Sequence, residues 1–267
     1  MSRGEAFRIG AASVGTSGPG LDVSSAEYDL TVVVPTFREA PNLGLLVPRI
    51  VAALEQAGLR GEIVIVDDDS ADGTEDVCRT LAATYPVRLL VRKGERGLSS
   101  AVLHGMRQAR GEVLLVMDAD LSHPPEAIPQ LFETIRSDDA DFVIGSRYAG
   151  TGSTEEGWGL YRWLNSKVAS LLAWPLSAAR DPMAGFFALR RSALDGADRL
   201  DPVGYKIGLE LMVKCHCRRV REIPIHFSNR VHGASKLTIK EQINYLRHLR
   251  RLYWYKLKTT LRPRRIA

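Results

Sequence analysis

Between residue 30 and about residue 145 the chain alternates apolar runs with segments of helical periodicity, and this rhythm decides its fold class. The apolar runs are Leu30 to Val34, Ile63 to Val66, "VRLLVRK", "EVLLVMDAD" and "DFVIGSRY". Between them lie "NLGLLVPRIVAALEQAG", "TEDVCRTLAATY" and "GLSSAVLHGMRQARG", each with apolar residues at helical spacing. Runs rich in Val and Ile without a polar alternation read as strands buried on both faces. Strands alternating with helices argue an α/β fold: a Rossmann-like, mostly parallel sheet flanked by helices. Pro35 is expected to stop the first strand.

Beyond Gly150 the rhythm changes. "LYRWLNSKVASLLAWPL", "GLELMVKCHC" and "TIKEQINYLRHLRRLYWYKLK" read as helices, "VREIPIHF" as a strand, and "GFFALRRSAL" as a strand leading into a helix. In the last helix Ile243, Leu246, Leu249, Leu252 and Tyr253 are expected to share one apolar stripe. Residues 1–28 read as a disordered leader, rich in Gly, Ser and Ala with no apolar core. Nothing reaches the ~18 apolar residues of a membrane span. The net charge of +5 is mild, yet after Glu241 there is no acid while Arg247, Arg250, Arg251, Lys256, Lys258, Arg262, Arg264 and Arg265 follow. Such an end suits an anionic partner: a membrane surface, a phosphate ligand or nucleic acid. Cys78, Cys215 and Cys217 offer neither a disulfide framework nor zinc-knuckle spacing, and read as reduced structural thiols of a cytosolic chain.

The chemistry gathers where strands end. Asp67, Asp68 and Asp69 follow one strand, Asp118 and Asp120 follow another, and Glu39 lies beyond a third. In open α/β sheets ligands bind outside the carboxyl ends of the strands. Two carboxylates at i and i+2 on a turn repel each other unless a cation sits between them. Oxygen donors on a short turn suit Mg²⁺ or Mn²⁺, held by one or two carboxylates plus substrate phosphates. The bland alternative makes Asp118 and Asp120 turn and cap residues before a helix at Pro124. Asp67 and Asp69 read as solvated turn residues or caps, and His123, just before two prolines, as a structural residue.

The segments "VVVPTFREAPNL", "IVIVDDDSADGT", "GLSSAVLHG", "MDADLSHPPE", "GSRY", "DPMAGFFALRR", "YKIGLELMVK" and "NRVHGASKL", in this order, closely resemble the polyprenyl-phosphate (dolichyl-phosphate) mannose synthases, GT-A glycosyltransferases of family 2. The resemblance covers roughly residues 30 to 240, and "DPMAGFF" with "HGASKL" makes it specific. It implies a GT-A catalytic domain over 29–240, followed by a basic amphipathic C-terminal helix and tail over 241–267. It implies that Pro35, Phe37 and Glu39 line the nucleotide pocket, that Asp68 contacts base or ribose, and that Gly97 lets a helix start approach the nucleotide. Asp118, Ala119 and Asp120 would sit at the diphosphate, with Asp118, Asp120 and Ser122 around the metal. Some relatives have Gln where this chain has Ser122, which puts a direct side-chain ligand there in doubt. Arg147, Arg162 and Ser166 would meet the lipid phosphate. Arg230 and Lys236 would serve both donor and reaction. Asp181 would approach the sugar hydroxyls or orient an arginine, and Ala184 stands where relatives often have Ser. Glu210 reads either as a carboxylate near sugar or base or as a buried partner for Arg or Lys.

The implied reaction is a metal-dependent, inverting transfer of mannose from GDP-mannose to a polyprenyl or dolichyl phosphate, giving a β-mannosyl phosphate. UDP-glucose or another UDP-sugar is the alternative donor. The implied setting is cytoplasmic and peripheral, on the cytoplasmic face of a membrane. Trp163, Leu171, Leu172 and Trp174, and the C-terminal Tyr253, Trp254 and Tyr255, are the expected interfacial residues, and a small membrane protein is a possible anchor. The other reading of both stripes is packing on the core. Nucleic acid is disfavoured as a partner, because carboxylates ordered at strand ends repel a polyanion. A signalling receiver would have no use for "HGASKL".

Overall fold

The computed structural model of the protein describes residues 26–154, 168–177, 179–201, 203–204, 206–228 and 239–261. Strands β1 (Tyr28–Thr36), β2 (Gly61–Asp67), β3 (Val87–Val91), β4 (Gly111–Val116), β5 (Phe142–Ser146), β7 (Phe187–Arg190) and β8 (Val220–Pro224) form one sheet. Their order is β3-β2-β1-β4-β7-β5-β8. β7 runs antiparallel to both neighbours. The remaining pairs are parallel. Two short strands, β6 (Ser153–Thr154) and β9 (His226–Phe227), pair separately.

The period-two pattern of a strand separates two cores. Leu30, Val32, Val34, Ile63 and Ile65 face α1 (Ala40–Gln56), α2 (Thr74–Ala82) and α4 (Ile128–Arg136). Val33, Val64 and Val66 face the other way, toward α3 (Leu98–Gln108), α5 (described over 168–173), α7 (Ile207–Lys214) and α8 (Ile239–Leu261). A short helix, α6 (Arg191–Asp195), follows β7. With both faces covered, the strands carry unbroken apolar runs.

Three expectations are corrected, and one alternative is found present. β1 continues through Pro35 to Thr36. Pro35 is tolerated because the ladder to β4 ends at Val33 opposite Val116, so its missing N–H interrupts nothing there. β4 stops at Val116, so Met117 to Asp120 leave the sheet as a turn. "VREIPIHF" is two strands, broken where the Ile225 N–H bonds the Ser146 carbonyl at 3.0 Å. The helix after Pro124 and Pro125, weighed only as the bland role of the aspartate turn, is present: a 3₁₀ turn at Pro125–Ala127 leads into α4.

The stripe expected on α8 is two stripes. Tyr245, Leu249 and Leu252 are buried in the core that α8 shares with α7, while Ile243, Leu246, Tyr253, Trp254 and Leu257 are exposed. On α5, Val168, Leu171 and Leu172 are exposed, as is Trp174 just beyond it. The two helices are tied together: the Tyr245 hydroxyl donates to the Ala169 carbonyl at 2.6 Å, Tyr253 to Leu172 at 2.7 Å, and Lys256 Nζ to Pro175 at 2.8 Å. Among the described residues no helix is long and apolar enough to cross a membrane. Burial pushes all three cysteine thiols up to about 12, so they stay protonated and behave as packing residues.

Candidate active site

Three turns at the carboxyl ends of β1, β2 and β4 carry non-glycine residues in the left-handed region: Arg38 (φ 62), Asp69 (φ 54) with Ala71 (φ 49), and Leu121 (φ 63). Such residues cost roughly 1–2 kcal/mol each, and they collect where function over-determines the backbone. Leu121 turns the chain inside "DADLSHP", just after Asp118 and Asp120. Asp120 is buried, and its Oδ1 accepts from both the N–H and the hydroxyl of Ser122. Ser122 thus orients Asp120. Ala119 is packed into the core beneath the turn.

Asp118 is the open member of the pair, its side chain 30% exposed. Because β7 inserts beside β4 and starts at Phe187 opposite Val116, the "DPMAGFF" segment runs into the sheet where β4 ends. Gly185 there lies so close that an added Cβ would stand 2.8 Å from Asp118 Oδ2. The buried His123 ring supports the turn from behind. Its Nδ1 accepts the Asp118 N–H at 3.4 Å, and it packs on Phe186 and against Phe227 with centroids 5.3 Å away in each case. With Nδ1 accepting, the proton sits on Nε2. His123 is therefore structural, as its sequence context suggested.

The opposite wall is cationic. Arg147 Nε and Nη2 each donate to Asp181 at 2.8 Å, a bidentate pair. The Arg147 N–H reaches the same carboxylate at 3.2 Å. Asp181 is fully buried and holds the arginine in place, one of the two roles expected of it. Phe227 and Tyr148 flank the guanidinium at 5.2 and 5.3 Å. Burial opposes the Arg147 charge, but the Asp181 pair outweighs it and raises its pKa. Lys206, which the sequence reading passed over, joins this wall. Its Nζ donates to the Met183 carbonyl at 3.0 Å, inside "DPMAGFF". Burial, reinforced by Arg147, pushes its pKa down to about 8, against the pull of Asp181 and Asp118. The available signal was a lysine inside the quoted "YKIGLELMVK", directly before an apolar helix.

On the nucleotide side Asp68 is more engaged than expected. Its carboxylate accepts from Arg92 Nε at 2.8 Å, from Arg92 Nη2, and from the Gly97 N–H at 2.8 Å. Arg92 also bonds Glu95 at 3.1 Å, Ser100 at 2.9 Å and the Gly97 carbonyl at 3.1 Å, which occupies all five of its donors. The pair knots the ends of β2 and β3 to the start of α3, where Gly97 holds φ 145, a conformation open to glycine. Pro35 is buried in β1. Phe37 stands half-buried beyond it with the Arg96 guanidinium 4.6 Å over its ring. Glu39 precedes α1 and accepts from Asn42 Nδ2 at 2.6 Å. Asp67 is neither a solvated turn residue nor a helix cap: it is the buried last residue of β2, accepting from the Ser70 N–H and the Thr36 hydroxyl, while Asp69 is exposed. Glu210 proves to be a buried partner: Lys214 Nζ lies 2.7 Å from Oε1 and His248 Nε2 lies 3.3 Å from Oε2. Arg162, Ser166, Arg230, Lys236 and Trp163 lie outside the described residues.

Among the described residues no three metal-ligating side chains come together. The residues that could hold a cation there are Asp118 and Asp120, and a ligand would have to supply further oxygens. That is how Mg²⁺ and Mn²⁺ sit beside phosphates. The glycine-lined space at Asp118 and the hydroxyl-oriented Asp120 fit such an ion.

A mostly parallel sheet that delivers a carboxylate pair and an opposing cation pair to its strand ends defines a GT-A glycosyltransferase. The chain belongs to glycosyl transferase family 2, whose family model matches residues 31–196. It is 45% identical over 84% of its length to the dolichol-phosphate mannosyltransferase of Pyrococcus furiosus, of which it spans 63%. To the dolichol-phosphate mannosyltransferase of Mycosarcoma maydis it is 41% identical, over 88% of this chain and 83% of that one. In fold it is similar to glucosyl-3-phosphoglycerate synthase from Mycobacterium tuberculosis, solved with Mn²⁺, UDP and glucosyl-3-phosphoglycerate. The TM-score is 0.62 at 17% identity, over 86% of this chain and 80% of that one.

Proposed function

We propose that the protein transfers mannose from GDP-mannose to a polyprenyl or dolichyl phosphate with inversion, using Mg²⁺ or Mn²⁺, at the cytoplasmic face of a membrane. The names of its relatives support the acceptor and the sugar. The observation that carries the chemistry is the gathering of charges at the strand ends: the Asp118 carboxylate lies close enough to the Asp181-locked Arg147 and to Lys206 to act on both charges.

Transfer brings two anions together. The acceptor is a phosphate monoester whose second pKa of ~6 leaves it mostly dianionic at neutral pH, so it attacks without a general base. Arg147, its guanidinium plane fixed by Asp181, suits bidentate capture of that phosphate, and Lys206 adds a point charge beside it. Asp118 and Asp120 would hold a divalent ion, which would supply charge neutralisation at the nucleoside diphosphate leaving group. Direct displacement on the side of the sugar away from that group turns an α-linked donor into a β-linked product. The acceptor's prenyl chain stays in the bilayer. The exposed aromatic and aliphatic residues of α5 and α8, among Arg247, Arg250 and Lys258, supply a surface that suits the interface.

The test is transfer itself. Purified protein with labelled GDP-mannose or UDP-glucose, a short polyprenyl phosphate and Mg²⁺ or Mn²⁺ should carry label into the organic phase from GDP-mannose. Label from UDP-glucose alone overturns the donor, and transfer undiminished by chelator overturns the ion.

A further inference from the structure

A cavity of about 430 Å³ lies between the segment after α5, α7, the start of β8 and α8, away from the aspartate turn. Trp174, Leu176, Met212 and Val220 give it apolar walls, and Arg218 and Lys256 supply two cations. Among the described residues no carboxylate lines it. Val220 is the first residue of β8, which runs parallel to β5. The cavity therefore sits at the amino end of these strands. Arg147 follows the carboxyl end of β5, so the cavity is separate from the reaction site.

Its surroundings name a ligand. Trp174, 66% exposed, lines the cavity and also belongs to the outward apolar surface with Leu171 and Leu172. Lys256 is flanked on α8 by Tyr255 and Leu257, with Trp254 and Lys258 close by, and the helix carries no acid after Glu241. The nearest carboxylates are engaged elsewhere: Asp141 accepts the backbone N–H groups of Arg218 and Arg219, and Asp198 accepts from Tyr255 and His216. An apolar-walled cavity with two cations, beside an exposed aromatic face, complements a molecule with a phosphate at one end and hydrocarbon at the other. We infer that this cavity is a second anion site, which takes the phosphate headgroup of an anionic phospholipid and pins the far end of α8 to the membrane. The site rests on the reading of α5 and α8 as a membrane surface, and it adds a specific contact to a diffuse one.

The experiment compares partition of the full chain onto vesicles of pure phosphatidylcholine and of phosphatidylcholine mixed with phosphatidylglycerol. Arg218→Gln with Lys256→Gln should weaken binding to the anionic vesicles about 30-fold, the worth of two interfacial cations. Binding to neutral vesicles and transfer to a short soluble prenyl phosphate should not change. Arg79→Gln with Arg107→Gln removes the same charge from exposed positions on α2 and α3 and should leave anionic binding as it is. Equal losses in the two double variants, or no loss in the first, overturn the site while leaving the membrane surface standing. Wild-type protein that binds neither vesicle overturns the membrane reading and the site with it. Circular dichroism of each variant checks that the fold is kept.

Discussion

Gly185 occupies a place where a single methyl group would stand 2.8 Å from the Asp118 carboxylate. A real Cβ does not tolerate that contact, so Gly185→Ala must displace Asp118 or β7. Moving an oriented ligand typically costs 10–100-fold in metal affinity. The expected outcome is a loss of that size in Mn²⁺ affinity by calorimetry, with transfer falling alongside and far-ultraviolet dichroism unchanged. Unaltered Mn²⁺ affinity in the variant would show that this space does not shape the site. Lys206 makes a second residue-scale prediction. Its pKa of about 8 means that it loses charge as pH rises through 8, and with it one of the cations facing two phosphates. Donor and acceptor KM should therefore rise on the alkaline side. Lys206→Arg should keep its charge and move that limb to higher pH. A pH profile identical in wild type and Lys206→Arg removes Lys206 from the anion site. Neither residue was legible as such. Gly185 and Lys206 are named only by their neighbours across the sheet, and β7 reaches β4 through a strand order that sequence spacing does not reveal.

At the scale of elements, α7 couples the reaction site to α8. It begins at Ile207, next to Lys206, and ends at Lys214, which pairs with Glu210 at 2.7 Å. Burial pushes the Glu210 carboxyl up, but His248, the Asp201 N–H and Lys214 outweigh it and hold it down at about 2. A carboxyl held below its unfolded value of 4.5 stabilises the fold above that pH, and the contribution drains away as pH falls toward 2. Removing one partner of a buried pair strands the other, at a cost of about 3–5 kcal/mol. Glu210→Gln should thus lower Tm substantially at pH 7 and much less near pH 3, where the wild type has lost part of the same contribution. Equal drops at both pH values would contradict the pairing. The helices themselves were readable from apolar spacing. The division of α8 into a buried and an exposed stripe was not, because periodicity reports that residues share a face and not which neighbour covers it. Tyr255 shows the limit: it stands beside Tyr253 and Trp254 in sequence, yet its hydroxyl turns inward to Asp198.

Over the whole molecule, the carboxyl ends of the strands gather the carboxylates and cations, while α5 and α8 present apolar and aromatic side chains along one flank. Leu246 and Leu257, two of the exposed residues of α8, are more than half exposed, so charging them should leave folding intact. Surface substitutions of this kind usually shift stability by about 0.5 kcal/mol or less. Removing a buried Leu from a membrane interface forfeits ~1.5–3 kcal/mol of apolar transfer, or about 10- to 100-fold in partition. Leu246→Glu with Leu257→Glu should therefore retain transfer to a short, soluble prenyl phosphate while losing most transfer to a long-chain acceptor embedded in vesicles. The ratio of the two activities is the measurement, since a damaged reaction site would lower both together. If long-chain transfer from vesicles persists at the wild-type ratio, this flank does not meet the membrane, and the acceptor reaches Arg147 and Lys206 by another approach.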